Sequence, residues 1–159
     1  MRTSGETGSA TGRRLGYLFK HAQTLLSELH VEALAPFDIH ARDLAVLLVI
    51  DSFEPASQQQ VAQRLGVDRT TMVAIIDTLE AKGIIARHPD AEDRRRNVVE
   101  LTPAGQDILK QATAASDAAE AELLAPLSPE ESEQLRDLLS RVITDRPAQS
   151  HRNSRTTRR

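Results

Sequence analysis

Only three residues, Gly66-Val67-Asp68, separate two stretches of helical periodicity. A connection this short dictates its own chemistry. Gly66 stops the first helix, and Asp68 starts the second by accepting from its free first-turn amides. Upstream, Ser57 and Gln60 make a capping box, and Val61 and Leu65 lie one turn apart on an inner face. Downstream, Met72, Ile75, Ile76 and Leu79 recur at i, i+3, i+4 and i+7, which makes one buried stripe; Gly83 ends it. Two helices joined by so short a Gly-containing turn form a helix-turn-helix.

Opposite the apolar stripe of the second helix lie Thr70, Ala74 and Asp77, flanked by Arg69, Thr71 and Val73. The outward first turn is small, hydroxylated and basic, which suits a helix whose N-terminal residues reach base edges in a major groove. Asp77 is out of keeping, because a carboxylate facing phosphates is repelled. It is expected to pair with a neighbouring Arg or to lie too far along to meet DNA. Ile84–His88 then reads as a strand, Pro89–Asn97 as a polar turn and Val98–Leu101 as the returning strand; Thr102-Pro103 opens a new helix. A hairpin directly behind a helix-turn-helix is a wing. Arg94, Arg95 and Arg96 at its tip can reach phosphates or a narrow minor groove, with Asp93 expected to orient one of them. Ser57 and Gln58, at the start of the first helix, complete the candidate DNA-contacting set.

LGVDRTTMVAIIDTLEAKGII followed by DAEDRRRNVVELTPAG resembles the MarR family of bacterial transcription regulators. The family's wing motif Asp-x-Arg is matched by Asp93 and Arg95, and its Leu-Thr-x-x-Gly by Leu101, Thr102 and Gly105. The match is closest over 57–105 and extends more loosely over 13–143. The resemblance implies a mainly α fold with a small β wing, in which the winged helix-turn-helix (57–101) is flanked by N- and C-terminal dimerisation helices (13–34 and 103–143) that interleave between two subunits. It also implies a regulator, most often a repressor, binding a pseudo-palindromic operator in double-stranded DNA as a homodimer. A small anionic or phenolic effector would bind between the dimerisation and DNA-binding parts.

The rest of the chain reads as one domain with tails. Residues 1–12 are rich in Ser, Thr and Gly and read as disordered; residues 144–159 are basic and aperiodic and read as a flexible tail. Leu15, Leu18, Phe19, Ala22, Leu25, Leu26 and Leu29 form a long stripe, longer than a chain of this size can cover, so a partner subunit is the expected cover. Residues 40–52 are apolar almost all round from Leu44 to Ile50; a buried strand is the alternative, but length and the His40/Asp43 start favour helix. Glu54-Pro55-Ala56 reads as a link. After Pro103 the stripe is Ile108, Ala112, Ala115, Ala119 and Leu123. Pro126 interrupts it, Ser128-Pro129-Glu130-Glu131 is a capping box, and Leu135, Leu138, Leu139, Val142 and Ile143 form the last stripe. Aromatic residues make up only 3% of the chain, so any core is aliphatic. The net charge of −3 does not oppose DNA binding, which needs a basic face and not a basic protein.

The chain has no Cys, which removes disulfides, thiolate metal sites and cysteine redox sensing. No apolar run reaches membrane-spanning length and the N-terminus lacks a signal peptide's apolar core, so a cytoplasmic protein without membrane attachment is expected. His21, His30 and His40 fall in or beside the N-terminal helices, where the resemblance places an effector. They read as surface or capping histidines, as effector ligands, or as part of a metal-sensing site with Glu32, although no tight metal-ligand spacing occurs. No glycine-rich phosphate loop, His-Glu metal motif or nucleophile elbow is present, so neither an enzyme nor a cofactor is expected. The alternative to a DNA-binding regulator is a winged-helix module that docks proteins, against which the three-Arg wing argues.

Overall fold

The computed structural model describes residues 10–53 and 56–144, in one unit ending at Leu123 and a second beginning at Leu124. In chain order the elements are α1 (Leu15–Leu34), α2 (Ala41–Ser52), β1 (Ala56–Ser57), α3 (Gln58–Leu65), α4 (Arg69–Ala81), β2 (Ile85–Pro89), β3 (Asn97–Leu101), α5 (Pro103–Leu123) and α6 (Pro129–Thr144). The fold is the mainly helical one with a small β wing that the sequence implies.

The helix ends form where the capping chemistry puts them. Ser57 N donates to Gln60 Oε1 at 2.8 Å and Gln60 N to Ser57 Oγ at 3.2 Å, so the first turn of α3 satisfies itself. Gly66 takes up a left-handed φ of 63°, and Val67 N returns to Ala62 O at 3.0 Å. At α2, His40 N donates to Asp43 Oδ2 at 2.8 Å, which accounts for a buried carboxylate at that helix start. Ser128 and Glu131 make the reciprocal box at α6.

The core is aliphatic and lies where α2, α3, α4 and the sheet meet. Val46, Leu47, Ile50, Val61, Met72, Ile76, Leu79 and Val99 are shut off from solvent there. All four stripe residues of α4 are buried, and α2 is the buried helix its composition demands, with Leu48 its exposed exception.

Four local readings are corrected. The hairpin is not alone: Ala56 and Ser57 pair with Val99 and Val98, which makes a three-stranded antiparallel sheet in the order β1-β3-β2. A two-residue strand has too little periodicity to announce itself. Along α5 the buried residues are Gly105, Leu109, Ala112, Ser116 and Ala119; Ile108, Ala115 and Leu123 sit on the flank. Ala112 and Ala119 keep the predicted face, while Leu109 and Ser116 replace Ile108 and Ala115 on it, because α5 packs chiefly along α1 and that contact takes small side chains, Ser116 among them. Residues 10–13 form a 3-10 turn that overlaps the end of the stretch 1–12 read as disordered. Asp93 acts on the wing through the backbone, as described below. The linking Glu54-Pro55, residues 1–9 and residues 145–159 lie outside the described residues; Thr144 belongs to α6.

One junction fixes the wing to its surroundings. Thr102 Oγ1 donates to Gly83 O at 2.7 Å and lies 3.1 Å from Ile84 O, while Gly105 N donates back to Thr102 Oγ1 at 3.0 Å. Thr102 N donates to Ile84 O at 3.1 Å. This draws the start of α5 onto the Ile84 carbonyl so closely that a Cβ at position 105 would lie 1.9 Å from that oxygen. Gly105 is therefore required by close approach.

Candidate nucleic-acid interface

The first turn of α4 is organised by Asp68. Its carboxylate accepts from Thr71 N at 2.9 Å and from Thr71 Oγ1 at 2.6 Å. The Thr71 hydroxyl, more than the backbone amide, holds the carboxyl below its ordinary range. Thr71 is thus occupied as a cap partner and half-buried, whereas Arg69 and Thr70 stand free at the surface and Val73 is half-buried beside them.

The wing tip is built by main-chain bonds. Asp90 N donates to Arg96 O at 2.8 Å, Glu92 N to Asp90 Oδ1 at 2.9 Å, and Arg96 N to Asp93 O at 2.9 Å. Asp93 Oδ1 accepts from Arg95 N at 3.0 Å. Asp93 therefore shapes the turn that carries the arginines instead of pairing with a guanidinium. Arg94, Arg95 and Arg96 are all exposed, and none meets a carboxylate among the described residues. Asp77 pairs with Arg87 of β2, which resolves the misfit on the outward face of α4.

Wing and helix pair come together around a cleft of about 590 Å³. Ser57 and Gln58 of the α3 start, Arg69 of α4, and Arg95 and Arg96 of the wing all line it. Thr70, Thr71, Val73, Asp93 and Arg94 do not. Sequence reasoning missed Gln59, Gln63 and Asn97, which complete its polar wall. The spacing of Gln59 and Gln63, one turn apart on α3, is the signal that was available. It also missed Arg87. Strand alternation puts Arg87 on the same side as buried Ile85, and an arginine in such a place calls for carboxylate partners. The cleft is a concave, hydrogen-bonding and cationic surface next to a free helical first turn.

Comparison with known proteins places this architecture. The MarR family model matches residues 37–96. The reduced form of MarR from E. coli is 30% identical, over 82% of this chain and 96% of that one, with a TM-score of 0.73. The chain belongs to the MarR family. A further member, the transcriptional repressor CouR bound to a 23-mer DNA duplex, superposes with a TM-score of 0.80 at 28% identity, over 88% of this chain and 99% of that one. CouR from Rhodococcus jostii RHA1 bound to p-coumaroyl-CoA matches with a TM-score of 0.75 at 26% identity, over 87% and 97% of the two chains. The protein is accordingly a winged-helix transcription regulator of this family.

The three histidines do not form one site. His21 is exposed, with its ring centroid 4.1 Å from that of Tyr17. His40 caps α2, with Nδ1 3.1 Å from Asp43 Oδ2. His30 alone reaches between helices, its Nε2 3.0 Å from Oγ of buried Ser116 on α5. Among the described residues, no group of three or more His, Asp or Glu is placed to hold a metal ion. None of the described helices is long and apolar enough to cross a membrane.

Proposed function

We propose that this family member is a ligand-responsive repressor that binds a pseudo-palindromic operator as a homodimer. The observation that carries the reading is the cleft in which Ser57, Gln58, Arg69, Arg95 and Arg96 face one space beside the free first turn of α4. In this reading α4 enters the major groove with Arg69 and Thr70 leading, and Thr71 and Val73 follow along the groove wall. The wing, with Arg94, Arg95 and Arg96 on the turn shaped by Asp93, reaches the flanking backbone or minor groove. Ser57 and Gln58 add phosphate contacts that set register without reading sequence. DNA bound to CouR and operator DNA bound to a MarR mutant from E. coli support the partner.

The dimer is supported by uncovered apolar surface. Leu15, Leu18, Phe19 and Leu25 on α1 are about half or more exposed, as are Leu138, Val142 and Ile143 on α6. A second copy would cover both faces and space two α4 helices for half-sites about one DNA turn, roughly 34 Å, apart. The effector is proposed as a small anionic or phenolic molecule near His30. The acyl-CoA bound to CouR supports that class, and such a ligand acts only by preferring one spacing of the α4 helices over another.

The test is a titration of the protein against its own upstream DNA at two salt concentrations with unrelated competitor. Binding that survives the competitor, falls steeply with salt and saturates at two protomers per site is expected. Binding that the competitor abolishes would leave non-specific basic contacts and favour a protein-docking role for the wing.

A further inference from the structure

α4 carries one carboxylate on its outward side, Asp77, and a second on the flank, Glu80, where a DNA-reading helix should carry none. Asp77 shares its face with Thr70, two turns on, so it stands only about 10 Å further along the helix axis. That is on the order of one Debye length at 0.1 M salt, so its charge would be felt by phosphates around the first turn. Its side chain is 57% exposed, and that of Glu80, one turn on, is 38% exposed.

Both are met by one side chain. Arg87 Nη1 donates to Glu80 Oε2 at 2.6 Å, while Nη2 donates to Asp77 Oδ1. The planar guanidinium fork serves the two carboxylates with separate nitrogens held in a fixed geometry. Arg87 itself is only 24% exposed and so is not free to touch DNA as the tip arginines are. Other bonds, in which it takes no part, also attach α4 to the wing. Ile84 N returns to Leu79 O at 3.0 Å, and the Thr102 junction holds Gly83 and Ile84 by backbone and hydroxyl bonds.

We propose that Arg87 is a positioning residue for DNA binding that acts through Asp77 and Glu80: it draws the two carboxylates toward the base of the wing and cancels their charge where α4 approaches the polyanion. The proposal rests on the DNA-binding reading above. It divides the basic residues of the wing in two, with Arg94, Arg95 and Arg96 offered to DNA and Arg87 turned inward to neutralise acids on the neighbouring helix.

The test compares wild type, Arg87→Ala, the pair Asp77→Asn/Glu80→Gln, and the triple variant on the duplex the wild type binds, from about 0.05 to 0.3 M salt. Arg87→Ala is expected to weaken binding on the order of tenfold at low salt, and the deficit should narrow as salt screens the exposed acids. The triple variant should return to within about threefold of wild type, and the carboxamide pair with Arg87 intact should bind at least as tightly. The proposal is overturned if Arg87→Ala binds normally, if the triple variant is as weak as the single one, or if the carboxamide pair binds more weakly. Should Arg87→Ala fail to fold, the carboxamide pair and the triple variant decide on the same terms. Failure of the wild type on every upstream duplex would remove the DNA reading itself, whereas wrong-signed variants on a wild type that binds remove only the role of Arg87.

Discussion

The stripe on α4 and the stripe on α1 have the same periodicity and opposite fates. Met72, Ile75, Ile76 and Leu79 are closed over by α2, α3 and the sheet of their own chain. Leu15, Leu18, Phe19 and Leu25 keep the same 3- and 4-residue spacing, yet stand open. Periodicity reports which face of a helix is apolar; it says nothing of which molecule covers that face. The α4 stripe lies within a few dozen residues of all its neighbours and needs only local chain to bury it. The α1 stripe is left with α5, whose inward face is Gly, Ala and Ser apart from Leu109.

The largest effect should come from opening the covered stripe. Leu79→Ala removes a fully buried side chain and is expected to destabilise the protein by about 2–5 kcal/mol, read as a shifted denaturant midpoint; a loss under about 1 kcal/mol would mean that the α4 core is softer than it appears. Next is the uncovered stripe. Leu18→Asp should leave helix content by circular dichroism intact while weakening self-association by about 2 kcal/mol or more, seen by sedimentation. Loss of helicity at protein concentrations where the wild type is folded would instead place Leu18 in its own chain's core. Third, Arg95→Ala should weaken operator binding by about 1–3 kcal/mol with thermal stability unchanged, and unaltered affinity at moderate salt would remove the wing from the interface.

The smallest effect concerns pH. The Asp68 carboxyl is held below its ordinary value of 3.8, first by the Thr71 hydroxyl. A depressed carboxylate contributes stability that is present above its unfolded value and is lost as pH falls through the folded one. Asp68→Asn should therefore flatten the acid limb of the stability curve below about pH 4 while changing little near neutrality, where Asn also caps. An acid limb identical to that of the wild type would show that the cap bond carries no linkage.

How much was legible in the chain follows from the range of the forces involved. Ser57, Gln60, Gly66, Asp68 and Ser128 act within a turn of themselves, and the helix ends form where those residues stand. The buried face of α4 and the exposed wing arginines were equally readable, because both follow from local pattern. Contacts that depend on partners far along the chain were not. The pairing of Ala56 with Val99 is set by the sheet, and the inward face of α5 by its fit to α1. Asp93 was read for its charge, but a short side chain two residues before an amide reaches that amide before any guanidinium. At the candidate site, the basic and hydroxylated residues announced themselves by type. Gln59, Gln63 and Asn97 are uncharged and became visible only once α3 and the wing faced a common space.

The short strand β1 has a consequence for how the winged unit comes apart. By pairing Ala56 and Ser57 with Val99 and Val98, the chain fastens the residues just before α3 to those just after the wing tip. Everything between them, both helices of the motif and the arm that follows, lies within one closed loop. Unzipping from either end must strip β1 or β2 away before β3, flanked on both sides, is released. The amides of β3 should then exchange with solvent only in openings approaching the global unfolding free energy, while those of the wing tip exchange through small local excursions. Exchange of that pattern would make the helix pair and the wing, closed by a two-residue ladder, one cooperative unit.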